Sequence, residues 1–566
     1  LVAAVILFAA YRTYGSFLSK KIFELDDNNV VPAVEFEDGI DYEPTDAKLL
    51  LGQQFSAIAA AGPVTGPIIA GIAYGWVPAL LWIIIGTIFI GGVHDMGSLV
   101  ASVRNKGRSI TETIRTNVSR SAWVLFNVFI FFTLVLIIVA FTDITASSFV
   151  NTVDLENGEV VGGGAIATSS ILYLILPVIM GLLMRYTKLD LKWATIIFLP
   201  LVGVAIWVGK YIPFNLQDVM GLDSPATAQK FWNAFIIIYC IIAGIVPVWI
   251  LLQPRGHLGG YFLYAALLVS AVGLILGVGD FKINYPAFTK NLGDSNFWTP
   301  MFPMLFITVA CGACSGFHAL VSSGTTSKQL KKESDAKPIG YGAMLLEGLV
   351  AVIALITVMI LSKDSEILTK SPNFVYSSGI GAFMSKFGVS QAFGISFGLM
   401  AFTTFVYDTL DVCIRLGRFI VEELTGWKGW FGKIFGTALI GGVPVILMSI
   451  TLTDPATGAP VAIWSVFWKA FGASNQLLAA LALIGITVWL LNTATFKKAW
   501  LFTFIPACFM FIMSTWALIN MFFTNMKTAD GSFGFPAGPN IILPVLCVIY
   551  VLLAANKGRG TEAAAA

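Results

Sequence analysis

The chain has 566 residues, 57% hydrophobic and only 12% charged, with a formal net charge of +2. A soluble domain carries about 25% charged residues, so this composition excludes an ordinary water-soluble fold. The small net charge leaves no footprint for nucleic acid or another acidic partner. What remains is an all-α polytopic membrane protein, since lipid rewards apolar side chains on every helix face and demands internally bonded backbone. Six cysteines lie inside or at the edges of apolar runs, which predicts reduced thiols rather than a disulfide framework.

In chain order, apolar runs predict about fifteen transmembrane helices, each near the length that crosses a hydrocarbon core. They fall near 1–18, 55–76, 79–103, 122–142, 166–184, 191–209, 233–253, 260–279, 301–323, 340–362, 391–410, 434–452, 461–491, 499–523 and 540–555. The run 461–491 is too long for one upright helix and is expected to tilt or to contain a turn. A shorter stretch at 374–388 reads as a half-helix. Basic residues cluster on alternate sides: Lys20 and Lys21, Arg104 to Arg120, Arg185 to Lys192, Arg255, Lys328 to Lys337, Arg415 to Lys433, and Lys497 with Lys498. By the positive-inside rule these are cytoplasmic, with the amino terminus outside and the carboxyl terminus inside.

The expected organisation is a peripheral first span (1–18), an acidic cytoplasmic connector (19–54), two five-helix repeats (55–209 and 233–410) and carboxyl-terminal spans (434–555). The second span carries Gly62-Pro63-Val64-Thr65-Gly66-Pro67, and two prolines in one turn interrupt a helix. The alternatives are a simple kink or unwound backbone lining a transport site. Five spans later, Gly244 and Pro247 interrupt the seventh span, which runs the opposite way. That spacing fits an inverted repeat, and the ninth span, rich in Gly and Ser, is the other candidate partner.

The ninth span holds Cys311, Cys314, His318, Ser322, Ser323, Thr325 and Thr326. Its hydroxyls could serve a cation or substrate. The Cys311–Cys314–His318 face could in principle hold a metal, but four ligands are usual, so the expectation is no metal and no cofactor. Intramembrane ionisable groups are costly, and mark ion paths or buried pairs. Here they are His94 and Asp95 in the third span, Glu347 in the tenth, and Asp408 and Asp411 in the eleventh. Asp95 and Glu347 divide between structural acids and proton carriers. Asp411 and Arg415, four apart, read as a helix-end ion pair. Asn475 and Gln476 read as a bundle hydrogen-bonding pair or a turn. No phosphate-binding loop of the G-x-x-x-x-G-K-[ST] type occurs, so the machinery of ATP-driven transport is missing.

These motifs together resemble one family. Gly52-Gln53-Gln54-Phe55, Gly62-Pro63, Gly66-Pro67, His94-Asp95, Gly107-Arg108-Ser109, Pro254-Arg255-Gly256, Ser315-Gly316-Phe317-His318, Ser323-Gly324-Thr325-Thr326, Asp411 to Arg418, Phe471-Gly472 and Asn475-Gln476 are similar to the carbon starvation protein A family, over nearly the whole chain. The resemblance implies a transporter of small peptides, or on a close branch a proton-coupled pyruvate symporter. It also implies a leucine-transporter-type 5+5 inverted repeat with added helices. The expected function is therefore secondary active import by alternating access, coupled to protons or sodium. A small-molecule substrate and the lipid bilayer are the expected partners. The substrate or cation site is expected at Gly62, Val64, Thr65, Gly66, His318, Ser322, Ser323 and Thr326, with proton coupling at Asp95, Glu347 and His94. A passive channel is the competing reading. An intramembrane hydrolase is a third, but no nucleophile–base–orienter set supports it.

Overall fold

The computed structural model describes residues 1–526 except 39–41, 118, 156–157, 188, 248, 290–300, 428 and 453–460. Among the described residues, 12 helices are long and apolar enough to cross a membrane, or 13 if one bent pair is a single span. The first is α1 (Val2–Ile22). The bent pair is α2 (Ala47–Ile58) and α3 (Gly62–Tyr74), joined at 47°. Then come α4 (Trp76–Arg104), α5 (Arg120–Val150), α6 (Gly163–Thr187), α7 (Leu191–Tyr211), α8 (Pro225–Ile245) and α9 (Leu252–Leu276). A further span is split into α10 (Met301–Thr308) and α11 (Gly316–Gly324). After α12 (Ala343–Met359) and the half-length α13 (Pro372–Ser385) follow α14 (Gln391–Thr425), α15 (Gly429–Ser449), α16 (Ile463–Thr493) and α17 (Leu501–Met526). A two-stranded hairpin, β1 (Thr152–Asp154) against β2 (Val160–Gly162), joins α5 to α6. The expected count of fifteen includes both split spans and the run 540–555, which lies outside the described residues.

Local chemistry sets several helix starts. Asp46, Ser119, Asp190, Ser224 and Ser390 each accept a backbone N–H in the first turn of α2, α5, α7, α8 and α14, which satisfies donors that a helix start leaves free. Asp46 starts the second span at Ala47, so the last eight residues of the connector are helical. The long thirteenth run is one unbroken helix, α16. Its Asn475 and Gln476 do not turn the chain but reach sideways to the split span.

The Gly/Pro stretch of the seventh span is a connection rather than a break within a span. Helix α8 stops at Ile245 with Val246 extended (ψ 144°), as the residue before a proline prefers. Helix α9 then starts at Leu252, taking Arg255 and His257 into the bundle rather than a cytoplasmic loop. The sequence placed these spans at 233–253 and 260–279 because it assigned Arg255 to water. The structure neutralises that charge internally.

Burial separates core from rim. In α14, 94% of the most apolar window is buried inside the protein, whereas in α7 the figure is 28%. Helix α14 packs against α5, α8, α9, α13 and α15, and α16 against α5, α11 and α17. Helices α6 and α7 form a hairpin on the outside of α9 and α14, with Trp193, Ile196, Ile197 and Trp207 facing outwards. Such a surface suits an apolar surrounding rather than water.

Candidate functional site: crossing helix breaks and a buried histidine–carboxylate chain

The breaks in the two split spans lie against each other. A Cβ on Gly62 would sit 2.3 Å from Cys311 Cβ, and one on Gly66 would sit 2.6 Å from the Thr308 carbonyl oxygen. As the number rises along α3 it falls along the partner, so the spans cross antiparallel. Pro63 touches the same segment, its Cα 3.4 Å from where a Cβ on Gly312 would be. The partner of the broken second span is therefore the ninth span, not the seventh.

Unwound backbone at membrane depth needs partners for its polar groups, and here side chains supply them. Trp82 Nε1 donates to the Val309 carbonyl (3.0 Å) and Thr87 Oγ1 to that of Gly312 (3.0 Å). Gln476 Nε2 donates to the Phe306 carbonyl (3.1 Å). Asn475 accepts the Phe317 N–H at 2.9 Å and donates to Ser315 Oγ at 2.9 Å. These bonds hold the 309–315 segment open. Thr65 Oγ1, fully buried at the start of α3, has no hydrogen-bond partner among the described residues. Val64 beside it is packed in the core. Cys311 and Cys314 are free and buried.

Three of the predicted ionisable residues form one chain with His318. His94 Nδ1 lies 2.7 Å from Asp95 Oδ1, and His318 Nδ1 lies 2.8 Å from Asp95 Oδ2. On its far side, His318 Nε2 is 3.2 Å from Glu347 Oε2. All four side chains have no exposure. The chain thus runs from α4 through α11 to α12. An ionised Asp95 can only accept, so each imidazole places a proton on Nδ1. In a neutral His318 with its proton on Nδ1, Nε2 is the acceptor that faces Glu347 Oε2. His318, read in the sequence as a substrate contact, lies between two acids.

The remaining predicted residues sit on the other half of α11. Gln54 of α2 donates to Ser322 Oγ (3.1 Å) and accepts from Thr326 Oγ1 (2.5 Å), pinning one half-helix to the other. Ser323 faces elsewhere, accepting the Ile110 N–H at 2.9 Å. It also lines a cavity of about 560 Å³ whose walls carry Arg108, Arg115, Lys328, Glu112, Glu422 and Glu423. The predicted set is therefore not one pocket. It divides into the crossing of α3 with 308–312, the histidine–carboxylate chain, and the Gln54–Ser322–Thr326 link with the cavity behind it.

Sequence reasoning missed Gln54 as a site residue, although its amide in an apolar helix was a signal. It also misassigned Asp411. The expected Asp411–Arg415 pair is replaced by Arg255, whose Nη1 lies 2.5 Å from Asp411 Oδ2. Arg415 instead donates to the Ala243 and Val246 carbonyls at the end of α8 (3.0 and 2.9 Å). An arginine 156 positions away cannot be read from helical spacing.

The sequence profile of the family described as carbon starvation protein CstA matches residues 1–376 and 362–517. A relative named "Peptide transporter CstA" from Bacillus subtilis (strain 168) is 29% identical, covering 98% of this chain and 95% of its own. A second, named "Pyruvate/proton symporter BtsT" from Escherichia coli (strain K12), is 29% identical, covering 91% of this chain and 80% of its own. Among solved structures, MhsT in complex with L-phenylalanine is similar at a TM-score of 0.49 and 14% identity, covering 90% of this chain and 98% of that one.

Proposed function

Because the chain belongs to the carbon starvation protein CstA family, a family of transporters rather than enzymes, we propose that it imports small peptides. Import crosses the cytoplasmic membrane by alternating access, with protons as the coupling ion. The observation that carries the peptide reading is the mixed charge of the cavity behind Ser323. A zwitterionic peptide needs a carboxylate partner and an amine partner, and that cavity carries Arg108, Arg115 and Lys328 together with Glu112, Glu422 and Glu423, with Glu112 paired to both arginines and Glu422 to Arg418. A lone keto acid needs donors and cations only. The volume of about 560 Å³ lies in the usual range for small-molecule sites.

In this reading Gly62, Val64, Thr65 and Gly66, with Ser322, Ser323 and Thr326, frame the moving centre. His94, Asp95, His318 and Glu347 carry the proton. The two split spans, antiparallel and crossed at their breaks, head the two halves of an inverted repeat, which moves the second half's start from 233 to the ninth span. The arginine distribution supports an amino terminus outside and a carboxyl terminus in the cytoplasm.

The test is uptake by purified protein in proteoliposomes under an imposed pH gradient, compared with a sodium gradient at equal pH. Labelled dipeptide should accumulate with the pH gradient and stop when a protonophore is added. If pyruvate accumulates while dipeptides neither enter nor compete, the peptide reading is wrong. Equilibration without accumulation would leave a passive facilitator.

A further inference from the structure

A second buried ionic group lies where α2, α8, α9 and α14 meet, apart from the histidine chain. Arg255 has no exposure. Its Nε donates to Asp408 Oδ1 at 2.6 Å, its Nη2 to the Tyr407 carbonyl at 3.1 Å, and its Nη1 to the Tyr239 hydroxyl at 2.5 Å. The same Nη1 lies 2.5 Å from Asp411 Oδ2. The second oxygen of Asp408 accepts from Ser56 Oγ, two residues before the end of α2. Thr409 Oγ1 donates to the Ala57 carbonyl at 3.1 Å. The half-helix α2 is thus fastened to α14 through this group.

One guanidinium faces two carboxyl groups. Arginine keeps its proton, so two ionised acids would leave one uncompensated negative charge deep in the bundle, which costs several kcal/mol or more. Acids sharing one site avoid this by holding a proton. The neighbours do not supply the missing positive charge. They are Tyr173 on α6, Tyr239 and Cys240 on α8, and Tyr407 and Cys413 on α14, all neutral types near pH 7. Arg415 and Arg418 are turned to the carbonyls of Ala243, Gly244 and Val246. His257 on α9 faces Thr195 at 2.7 Å.

The two acids are not equivalent. Both oxygens of Asp408 receive hydrogen bonds, whereas Asp411 shares Arg255 Nη1 with the Tyr239 hydroxyl and otherwise meets the Cys240 thiol. Asp408 therefore suits the carboxylate form and Asp411 the acid. There is also a way in. A cavity of about 20 Å³ touches Asp408 and is lined by Gln53, Gly256, Thr325 and Thr326. That is room for about one water. Gln53 also lines a larger cavity of about 340 Å³ with Glu43, Arg185, Gln253 and Gln329, on the side that the basic residues mark as cytoplasmic.

We propose that Asp408 and Asp411, bridged by Arg255, form a second proton-binding site, holding one proton and exchanging it with the cytoplasmic side through the Gln53 cavity. The proton comes from water in that cavity and returns to it. Its presence sets how firmly α2 is held to α14. This rests on the charge count of the cluster and not on the identity of the substrate.

The experiment is infrared spectroscopy of the purified full-length protein at neutral pH in H2O and D2O, with thermal unfolding in parallel. The wild type should show a carbonyl-stretch band of protonated carboxylic acid that moves in D2O. Asp411→Asn should lose one component and keep its unfolding temperature, because an amide stands in for the acid. Asp408→Asn should unfold at a lower temperature. Glu347→Gln should keep the component, which separates this site from the proposed coupling chain. Persistence of the component in both aspartate variants would overturn the proposal, as would its failure to move in D2O. If both aspartate variants unfold well below the wild type and neither loses the component, both acids are carboxylates and the shared proton is refuted.

Discussion

Replacing Glu347 by glutamine separates a coupling role from a structural one. Glu347 is fully buried on α12, with His318 Nε2 3.2 Å from its Oε2. A glutamine keeps the volume, and its NH2 can donate to Nε2 as a protonated acid would. The cost to stability should therefore stay within about 1 kcal/mol, the net worth of one neutral hydrogen bond. Alanine removes that donor and opens a cavity, so its cost should be about 2–4 kcal/mol. Neither variant can release a proton at 347. With a neutral His318 whose Nδ1 proton is donated to Asp95, Nε2 accepts from Glu347, and the pair passes one proton. A gradient of one pH unit is worth about 1.4 kcal/mol per proton, so one coupled proton concentrates a neutral dipeptide at most about tenfold. Wild-type proteoliposomes should approach that ratio. Glu347→Gln should stop at equal concentrations while still exchanging labelled for unlabelled peptide. Tenfold accumulation by a stable Glu347→Gln protein would remove this residue from coupling, and equal unfolding temperatures for the two variants would refute the packing argument.

Gln54→Leu should strip two hydrogen bonds from Ser322 and Thr326, at about 1–3 kcal/mol, and speed hydrogen exchange in α2. Gly259→Ala places a methyl 2.4 Å from Asp408 Oδ2 and 2.8 Å from Ser56 Oγ. The overpacking cost of about 1–3 kcal/mol outweighs a helix-propensity gain of about 1 kcal/mol, so the unfolding temperature should fall. Asn475→Ala leaves the Phe317 N–H without its acceptor and takes the amide donor from Ser315, and should make the 309–317 segment a site of protease cleavage or fast exchange. On the connector, the Ser334 N–H and hydroxyl hold the Asp27 carboxyl below its usual range. A depressed carboxyl stabilises the fold above its unfolded pKa of about 3.9 and loses that contribution as pH falls through the folded value. Protease nicking at 26–36 should therefore rise as pH drops below about 4, and Asp27→Asn should flatten that dependence. An unchanged profile would show that this contact does not hold the connector.

What could be read in advance was what lipid imposes locally. The Gly62-Pro63 interruption, the apolar runs of the spans and the buried ionisable groups His94, Asp95 and Glu347 all signal themselves within a few positions. What could not be read was who meets whom. His318 reaches Asp95 across 223 positions and Glu347 lies on a third helix. Arg255 was counted as a loop charge, because a basic residue beside Pro254 and Gly256 resembles a membrane boundary. Only the fold brings Asp408 and Asp411 to it. Asn475 shows the same limit from the other side. An amide in an apolar run signals a hydrogen bond but not whether the chain turns there, and it lies in unbroken α16 serving a break elsewhere.

The placement of the two ionic groups bears on how the breaks could work. The histidine chain ties α11 to α4 and α12. The Arg255 group ties α2 to α9 and α14. Gln54 ties α2 to α11. The two half-helices on this side of the crossing are thus bonded to each other by neutral groups and to different neighbours by ionisable ones. A neutral amide–hydroxyl link is insensitive to pH and worth about 1 kcal/mol per bond. A buried charge pair that loses one partner's charge changes by several kcal/mol. Protonation therefore leaves the α2–α11 link alone while altering what holds each half-helix to the surrounding bundle. That asymmetry suits a pair that shifts as one body against its scaffold. It follows from residue types and contacts alone, whichever peptide or acid is carried.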